Sequence, residues 1–368
     1  MKSTPDEISH AAPAFLISIG AGVAGGVLAL VLGLLTFGVQ ATVDPRHLPL
    51  AVGTADASAA PALSQLVNNI AAEGGDRVDW RTVASRDEAQ SLLDAKTIYG
   101  AVLFSPGPAG LTATVLVSGA LNPNATAVAQ PILTQLAESA TSAARAQRAS
   151  QAPPGGAAPA APRTAVQVVT LHPTSAAGRT LPLASSALLW IAALVGNVFV
   201  LVAAPRLRGG RPLGRIATIG AAASAAVLGT GAVLLLAWLW DSTLPIGWEV
   251  GAFLAIVGGA FALLQAGVLR WLGVAGMAVL APLYLMAPAV AGLPPELLNA
   301  GYRAALWSWT PFRFSTEGLR SVMFLGSGAP DVQSAVLVLG GLAVAGLLLL
   351  LVPKPASRTS SAELRHAG

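Results

Sequence analysis

The 368-residue chain is 54% hydrophobic and only 10% charged, with a formal net charge of +4 and a mean hydropathy of +0.67. A water-soluble domain carries about 25% charged residues, so a fold that must hide this much apolar surface from water unaided is excluded. The lack of cysteine excludes a disulfide framework, a thiolate metal site and a thiol nucleophile. The arginines lie in short loops between apolar runs rather than on an aromatic-studded basic face, which argues against nucleic acid as a partner.

Residues 1–13 form an N-terminal tail, and residues 14–39 then run without a charge for longer than the roughly 20 residues that cross a bilayer. This predicts a first transmembrane helix. Val39-Gln40-Ala41 resembles a signal-peptidase site, but the apolar core exceeds the roughly 7–15 residues of a signal peptide, so a retained anchor is expected.

Between residues 40 and 173 the sequence is too polar to span and reads as one α+β domain. LPLAVGT (48–54) and VDWRTVAS (78–85) predict strands, while PALSQLVNNIAA (61–72) and RDEAQSLLDA (86–95) predict helices. Ser85 is the expected N-cap of the second helix, with Glu88 completing a capping box. IYGAVLFSP and LTATVLVSGA predict two strands around a Pro-Gly-Pro turn at 106–108. A third helix is expected from Asn122-Pro123 towards Arg148, followed by a flexible Pro/Ala/Gly linker at 151–162. AVQVVTL (165–171) then predicts a strand rejoining the same sheet.

Five further apolar segments follow, at 183–204, 216–240, 248–269, 273–292 and 334–352. The predicted fold is therefore a polytopic α-helical membrane protein of about six transmembrane helices, with an extracytoplasmic α+β domain between the first and second. The loop at 205–215 holds Arg206, Arg208, Arg211 and Arg215, whereas 241–247 holds Asp241 and no base. By the positive-inside rule the first loop is cytoplasmic and the second external. Arg270 and the bases of the 353–368 tail (Lys354, Arg358, Arg365) fall on the inner side in that register, so both termini are expected in the cytoplasm of a cell bounded by this plasma (inner) membrane. The loop at 293–333 is then external despite Arg303, Arg313 and Arg320, which a folded segment accommodates. Its AALWSWTPFRF and STEGLRSVMFL pieces predict interfacial or re-entrant helices, marked by Pro311, Arg313, Glu317 and Arg320, with Trp307 and Trp309 suited to the headgroup region.

Ionisable groups inside spans are costly and retained for function, and these spans hold almost none. Glu249 sits at a helix start, where the helix dipole favours a carboxylate. Asn197 and Gln265 are the amides deep in spans; helix–helix hydrogen bonding is their default role, and contact with a substrate path is the sharper one. His10, His47, His172 and His366 have no metal-ligand spacing, so no metal or other cofactor is expected. A phosphate-binding Gly-x-x-x-x-Gly-Lys-Ser/Thr loop does not occur, so ATP hydrolysis by that route, and enzymatic activity generally, is not expected of this chain. Gly22, Gly25, Gly26, Gly258 and Gly259 permit close helix packing. The arginine loop signals topology, or docks a soluble partner or anionic membrane lipid.

The order of parts resembles the ABC type-2 transporter permeases, in particular the phage-infection-protein (YhgE/Pip) branch. LPLAVGT, VDWRTVASRDEAQSLLDAKTIYGAVLFSP, LPLASSALLWIAALVGN and LLNAGYRAALWSWTPFRFSTEGLRSVMFLG look like that branch's passages, the last containing the Pro-to-Arg segment from Pro311 to Arg320. The resemblance implies one half of an exporter, working as a homo- or heterodimer. It would move an amphipathic, lipidic or polymeric substrate with energy from a cytoplasmic ATPase subunit seated on Arg206, Arg208, Arg211 and Arg215. The loop departs from the family in being short and rich in Pro and Gly, with little room for a coupling helix. The alternative is a non-transporting scaffold or receptor whose outer domain binds a cell-envelope, phage or secretion partner.

Overall fold

The computed structural model describes residues 23, 26–27, 29–56, 61–107, 110–151 and 165–354. The start of the first predicted span, most of the 151–162 linker, Pro108 of the predicted turn, and the tail bases Arg358 and Arg365 lie outside the described residues. The chain divides into two compact units, Met1–Leu171 with Pro282–Arg313, and His172–Ala281 with Phe314–Gly368.

Unit 1 opens with a short apolar helix, α1 (Ala29–Ala41). The sheet domain follows with β1 (Leu48–Thr54), α2 (Pro61–Ala72), β2 (Val78–Val83), α3 (Arg86–Asp94), β3 (Ala101–Gly107), β4 (Gly110–Ser118), α4 (Pro123–Gln151) and β5 (Val166–Leu171). The strands lie in the order β2-β1-β3-β4-β5. β1 runs parallel to β2 and β3, β4 is antiparallel to β3, and β5 is parallel to β4. Alternation along the strands builds a core on each face. Leu48, Leu50 and Val52 of β1 and Val102 and Phe104 of β3 pack with Val67 and Ile70 of α2 and Leu133 of α4. Ala51, Ala101 and Leu103 point the other way, onto Ala89 and Leu93 of α3. Both faces of β1 are thus buried, which is why LPLAVGT reads as a nearly continuous apolar run.

Ser85 caps α3 as expected, accepting from the Glu88 N–H at 3.2 Å. The return bond goes one residue further upstream than in the standard box, with Glu88 Oε2 accepting from the Ala84 N–H at 2.7 Å. Asn122 caps α4 through Oδ1, which accepts from the Asn124 N–H at 3.0 Å. The predicted turn is shifted: Pro106 and Gly107 are paired residues of β3, opposite Leu111 and Gly110.

The first part of the loop predicted as membrane-interfacial packs on the sheet domain. Leu293 and Leu297 join its core, Tyr99 Oη donates to Glu296 Oε2 at 2.9 Å, and the Arg46 N–H donates to the Glu296 carbonyl at 2.8 Å. Asn124 Nδ2 donates to the Gly292 carbonyl at 2.7 Å. These bonds run across long sequence separations, so no local periodicity announces them.

Tyr302 is also anchored. Its hydroxyl donates to the Leu34 carbonyl at 2.9 Å, inside the π turn Leu34–Gly38 of α1, a widened turn where a donor can reach a backbone acceptor. A Cβ on Gly38 would collide with Tyr302 Oη. Gly38→Ala is therefore expected to destabilise the protein, and Tyr302→Phe alone to cost about 0.5–1.5 kcal/mol. The double variant should be more stable than the sum of the two losses, because removing the hydroxyl makes room for the methyl. Thermal unfolding of the four proteins measures this, and strictly additive losses would refute the contact.

Unit 2 is built from α5 (Ala176–Leu207), α6 (Arg215–Trp240), α7 (Trp248–Leu272), most of α9 (Pro311–Leu325) and α10 (Val332–Leu351). α8 (Met277–Ala291) follows α7 through the tight turn Gly273–Gly276, so that Trp248–Ala291 is one helical stretch. Among the described residues four helical segments are long and apolar enough to cross a membrane: α5, α6, the α7–α8 stretch and α10. This is compatible with a membrane protein carrying a sheet domain. The count differs from about six because α1 is described only from its second half and because the predicted spans 248–269 and 273–292 fall within that one stretch. α8 itself, Met277–Ala291, is shorter than the roughly 20 residues a span needs. α5 begins before the predicted residue 183 because the helix continues through Pro182.

Candidate functional site

Three groupings of polar side chains stand out among the helices of unit 2. In the first, Ser186 of α5 meets α9: its Oγ lies 2.6 Å from Ser315 Oγ and 3.2 Å from Thr316 Oγ1. Hydroxyls suit this position, since each can also return a bond to its own helix, as Ser185 Oγ does to the Leu181 carbonyl at 2.6 Å. One residue further along α9 Glu317 pairs with Arg320, a helical i, i+3 pair. The Arg320 side chain is 2% exposed and that of Glu317 is 24% exposed. Of the loop's predicted marker residues, Glu317 and Arg320 thus form an ion pair in unit 2 whose arginine is buried. Pro311 is the first residue of α9, and Arg313 stacks on Trp307 in unit 1, its Cζ 3.8 Å from the ring centre.

In the second, Asn197 and Gln265 tie α5 to α7. Asn197 Nδ2 donates to the Ala262 carbonyl at 3.0 Å, and Gln265 Nε2 donates to the Trp190 carbonyl at 3.2 Å. Both are buried, which matches their expected helix–helix role. Gln265 Oε1 is buried and has no hydrogen-bond partner among the described residues. Gly258 supports the same packing by letting the α7 backbone approach Ala226 of α6, whereas Gly259 and Gly26 face open space.

The third place is a cleft of about 390 Å³ at the end of the helices, bordered by Asn197, Leu201, Leu213, Leu269, Arg270 and Lys354. The Trp271 indole N–H donates to the Leu349 carbonyl at 2.9 Å, and Arg270 Nη2 to the Val352 carbonyl at 3.3 Å. These two bonds fasten the end of α10 to the end of α7, and Lys354, just beyond α10, borders the cleft as Arg270 does. Of the arginine loop, Arg206 falls in the last turn of α5 and Arg215 opens α6, leaving Arg208 and Arg211 in a connection without a helix.

At the opposite end of the unit, in the loop beyond α6, Asp241 Oδ1 accepts from the Thr243 hydroxyl at 2.6 Å and N–H at 2.9 Å. The Ser175 hydroxyl, followed by these two bonds, holds the Asp241 carboxyl below its ordinary value of 3.8. Ser175 Oγ at the same time accepts from the Gly178 N–H at 3.2 Å as the cap of α5. A depressed carboxyl stabilises the fold at pH values above its unfolded pKa, and that contribution disappears as the pH falls through the folded one. Asp241→Asn is thus expected to lower thermal stability near neutral pH, with the gap to the unaltered protein closing below about pH 4. A gap of unchanged size in acid would contradict the assignment.

Unit 1 holds one further cleft, an open one of about 380 Å³ lined by Thr54, Ser64, Asn68, Thr82 and Glu88 among others. It lies at the carboxyl ends of the parallel strands β1 and β2, the edge at which open sheets of parallel strands bind ligands. Thr54 Oγ1 there lies 2.9 and 3.2 Å from the Asp56 and Ala84 carbonyls.

Among the described residues no cluster of histidine and carboxylate side chains could hold a metal ion. Comparison with family models, curated proteins and solved structures gives no match to the chain. Sequence reasoning singled out Asn197 and Gln265, which the structure places in helix–helix hydrogen bonds, but missed Ser186, Ser315 and Thr316. Their signal was available in hydroxyl residues set within apolar helical runs.

Proposed function

We propose that the chain is the membrane-spanning permease subunit of an ABC-type exporter, similar to the phage-infection-protein branch, with the sheet domain outside and both termini in the cytoplasm. In this reading it has about six spans, α1 completing the first with the residues before it and the 44-residue α7–α8 stretch supplying two across its turn at Gly273–Gly276. A separate ATPase supplies the energy, and the substrate is amphipathic, lipidic or polymeric, in keeping with spans almost free of charge.

The observation that supports it best is the incompleteness of the bundle. Over their most apolar windows α5, α6 and α10 are 28%, 28% and 22% buried, against 61% for the α7–α8 stretch. A helical unit with one enclosed member and three largely open ones is suited to face lipid on some sides and a second subunit on another. Leu228 of α6 is 74% exposed and Val227 beside it 67%.

Because the chain has no cysteine, one introduced thiol is the only one present. In native membranes Leu228→Cys is expected to give a disulfide-linked dimer on mild oxidation, whereas Trp248→Cys, exposed near the start of α7, should stay monomeric. No dimer from any single cysteine along the exposed α6 face would count against the paired path.

The second reading, a receptor or scaffold without transport, is favoured by one observation, the cleft at the ends of β1 and β2 in the sheet domain. A ligand bound there independently of any ATPase would favour it.

A further inference from the structure

Unit 2 is charge-segregated. α5 ends, α6 begins, and α7 and α10 end together, so Arg206, Arg208, Arg211, Arg215, Arg270 and Lys354 share one end of the helices. The described carboxylates of the unit lie elsewhere. Asp241 follows the end of α6, Glu249 opens α7 and accepts from the Ser327 hydroxyl at 3.0 Å, and Asp331 precedes α10, all at the other end. Glu317 is paired with Arg320. Among the described residues, therefore, no carboxylate of this unit neutralises the basic end.

The cleft at that end concentrates the imbalance. Arg270 and Lys354 both border it, at the place where the α7–α10 hydrogen bonds fasten the two helix ends. Arg270 Nε is buried without a hydrogen-bond acceptor among the described residues, a costly state for a donor. The remainder of the wall is largely apolar, with Leu201, Leu213 and Leu269. The cleft runs from Pro205 back to Asn197 along α5, about 12 Å at the helical rise per residue. Its volume of about 390 Å³ falls in the range of ligand pockets, about 300–1,000 Å³. Leu207 and Leu272, at the same end, are 77% and 51% exposed.

We infer that this cleft binds one anionic phospholipid, with the phosphate on Arg270 and Lys354 and an acyl chain along the apolar wall. A soluble anion would use the two cations and leave the apolar wall unused. A zwitterionic lipid would use the wall and leave both positive charges without compensation. Basic pockets between helices at a membrane surface recognise lipid headgroups by this combination. The site goes beyond the transport reading and stands whether or not the chain transports.

The test uses the full-length protein purified in a neutral detergent containing equal amounts of phosphatidylglycerol and phosphatidylcholine of the same acyl chains, read by native mass spectrometry. The unaltered protein is expected to retain about one phosphatidylglycerol per chain, preferred about tenfold over phosphatidylcholine. The double variant Arg270→Gln/Lys354→Gln should lose the preference, Arg179→Gln at the other end should keep it, and millimolar inorganic phosphate should not displace the lipid. Equal retention of the two lipids by the unaltered protein would overturn the assignment without recourse to any variant. So would an undiminished preference in the double variant or its loss in Arg179→Gln. Displacement by inorganic phosphate would assign the cleft to a soluble anion instead.

Discussion

Gly346→Leu is expected to disrupt unit 2 more than any other single substitution on α10. A Cβ at Gly346 would lie on the backbone of Leu263 and Leu264 in α7, 2.5 Å from the Leu264 nitrogen, and the facing Gly267 already sits 3.0 Å from the Gly346 carbonyl by the same measure. The two glycines let α7 and α10 cross almost backbone to backbone, the packing that membrane helices use where no hydrophobic force drives them together. Overpacking a well-filled core costs about 1–3 kcal/mol and occasionally more, and here the obstructing atoms are backbone that cannot rotate away. Gly341, on the same helix, faces open space, so Gly341→Leu should be tolerated. Thermal stability in detergent, followed by size-exclusion chromatography, compares the two directly. Equal stability of Gly346→Leu and Gly341→Leu would show that the close crossing does not exist.

The second large effect is an asymmetry in the ion pair of α9. Removing one partner of a buried pair leaves an uncompensated charge and costs about 3–5 kcal/mol, whereas replacing both with apolar groups is often neutral. Arg320 is almost fully buried while Glu317 is about a quarter exposed. Glu317→Leu, which strands the buried guanidinium, should therefore destabilise more than Arg320→Leu, which leaves a carboxylate with access to water. Glu317→Leu/Arg320→Leu should recover much of the loss. Denaturation of the three variants tests the order; Arg320→Leu proving the more damaging, or no recovery in the double variant, would contradict it.

These two sites show where sequence reading succeeds and where it stops. The elements of the sheet domain are written locally: LPLAVGT and PALSQLVNNIAA occupy β1 and α2 residue for residue, and Ser85 with Glu88 marks the start of α3. Strand alternation and capping depend on neighbours a few residues away, so a single sequence reveals them. The amides Asn197 and Gln265 stood out because amides are rare in apolar helices. By contrast, the seating of Leu293 to Leu297 on the sheet domain, the Gly267–Gly346 crossing and the bond from Arg270 to the Val352 carbonyl all join distant stretches. Glycine at 258 and at 346 reads alike in sequence, and only the helix that comes to lie against each distinguishes ordinary packing from near-contact of backbones. The junction of the predicted spans 248–269 and 273–292 is a related case. The helix breaks at Gly273 as the sequence suggests, but the connection is a four-residue turn, so α7 and α8 form one nearly continuous stretch.

Two of the three arginines of 293–333, awkward for an external loop, have physical partners. Arg320 has the Glu317 carboxylate, and Arg313 has the Trp307 ring and the Ser308 carbonyl at 3.4 Å. A charge committed to a folded partner contributes less to the loop-charge bias that sets membrane orientation. This supports the proposed external placement, since Leu293 and Leu297 in the same loop pack on the sheet domain and must share its side of any membrane.

The most direct test of the permease reading is purification of the tagged full-length chain from its native membranes, with the ATP turnover of the preparation measured. The account predicts a dimer accompanied by a separate ATPase subunit, whose turnover falls to background when the permease is omitted or when Gly346→Leu disrupts its bundle. A well-folded protein that never carries an ATPase, and whose cellular role survives without one, would contradict it.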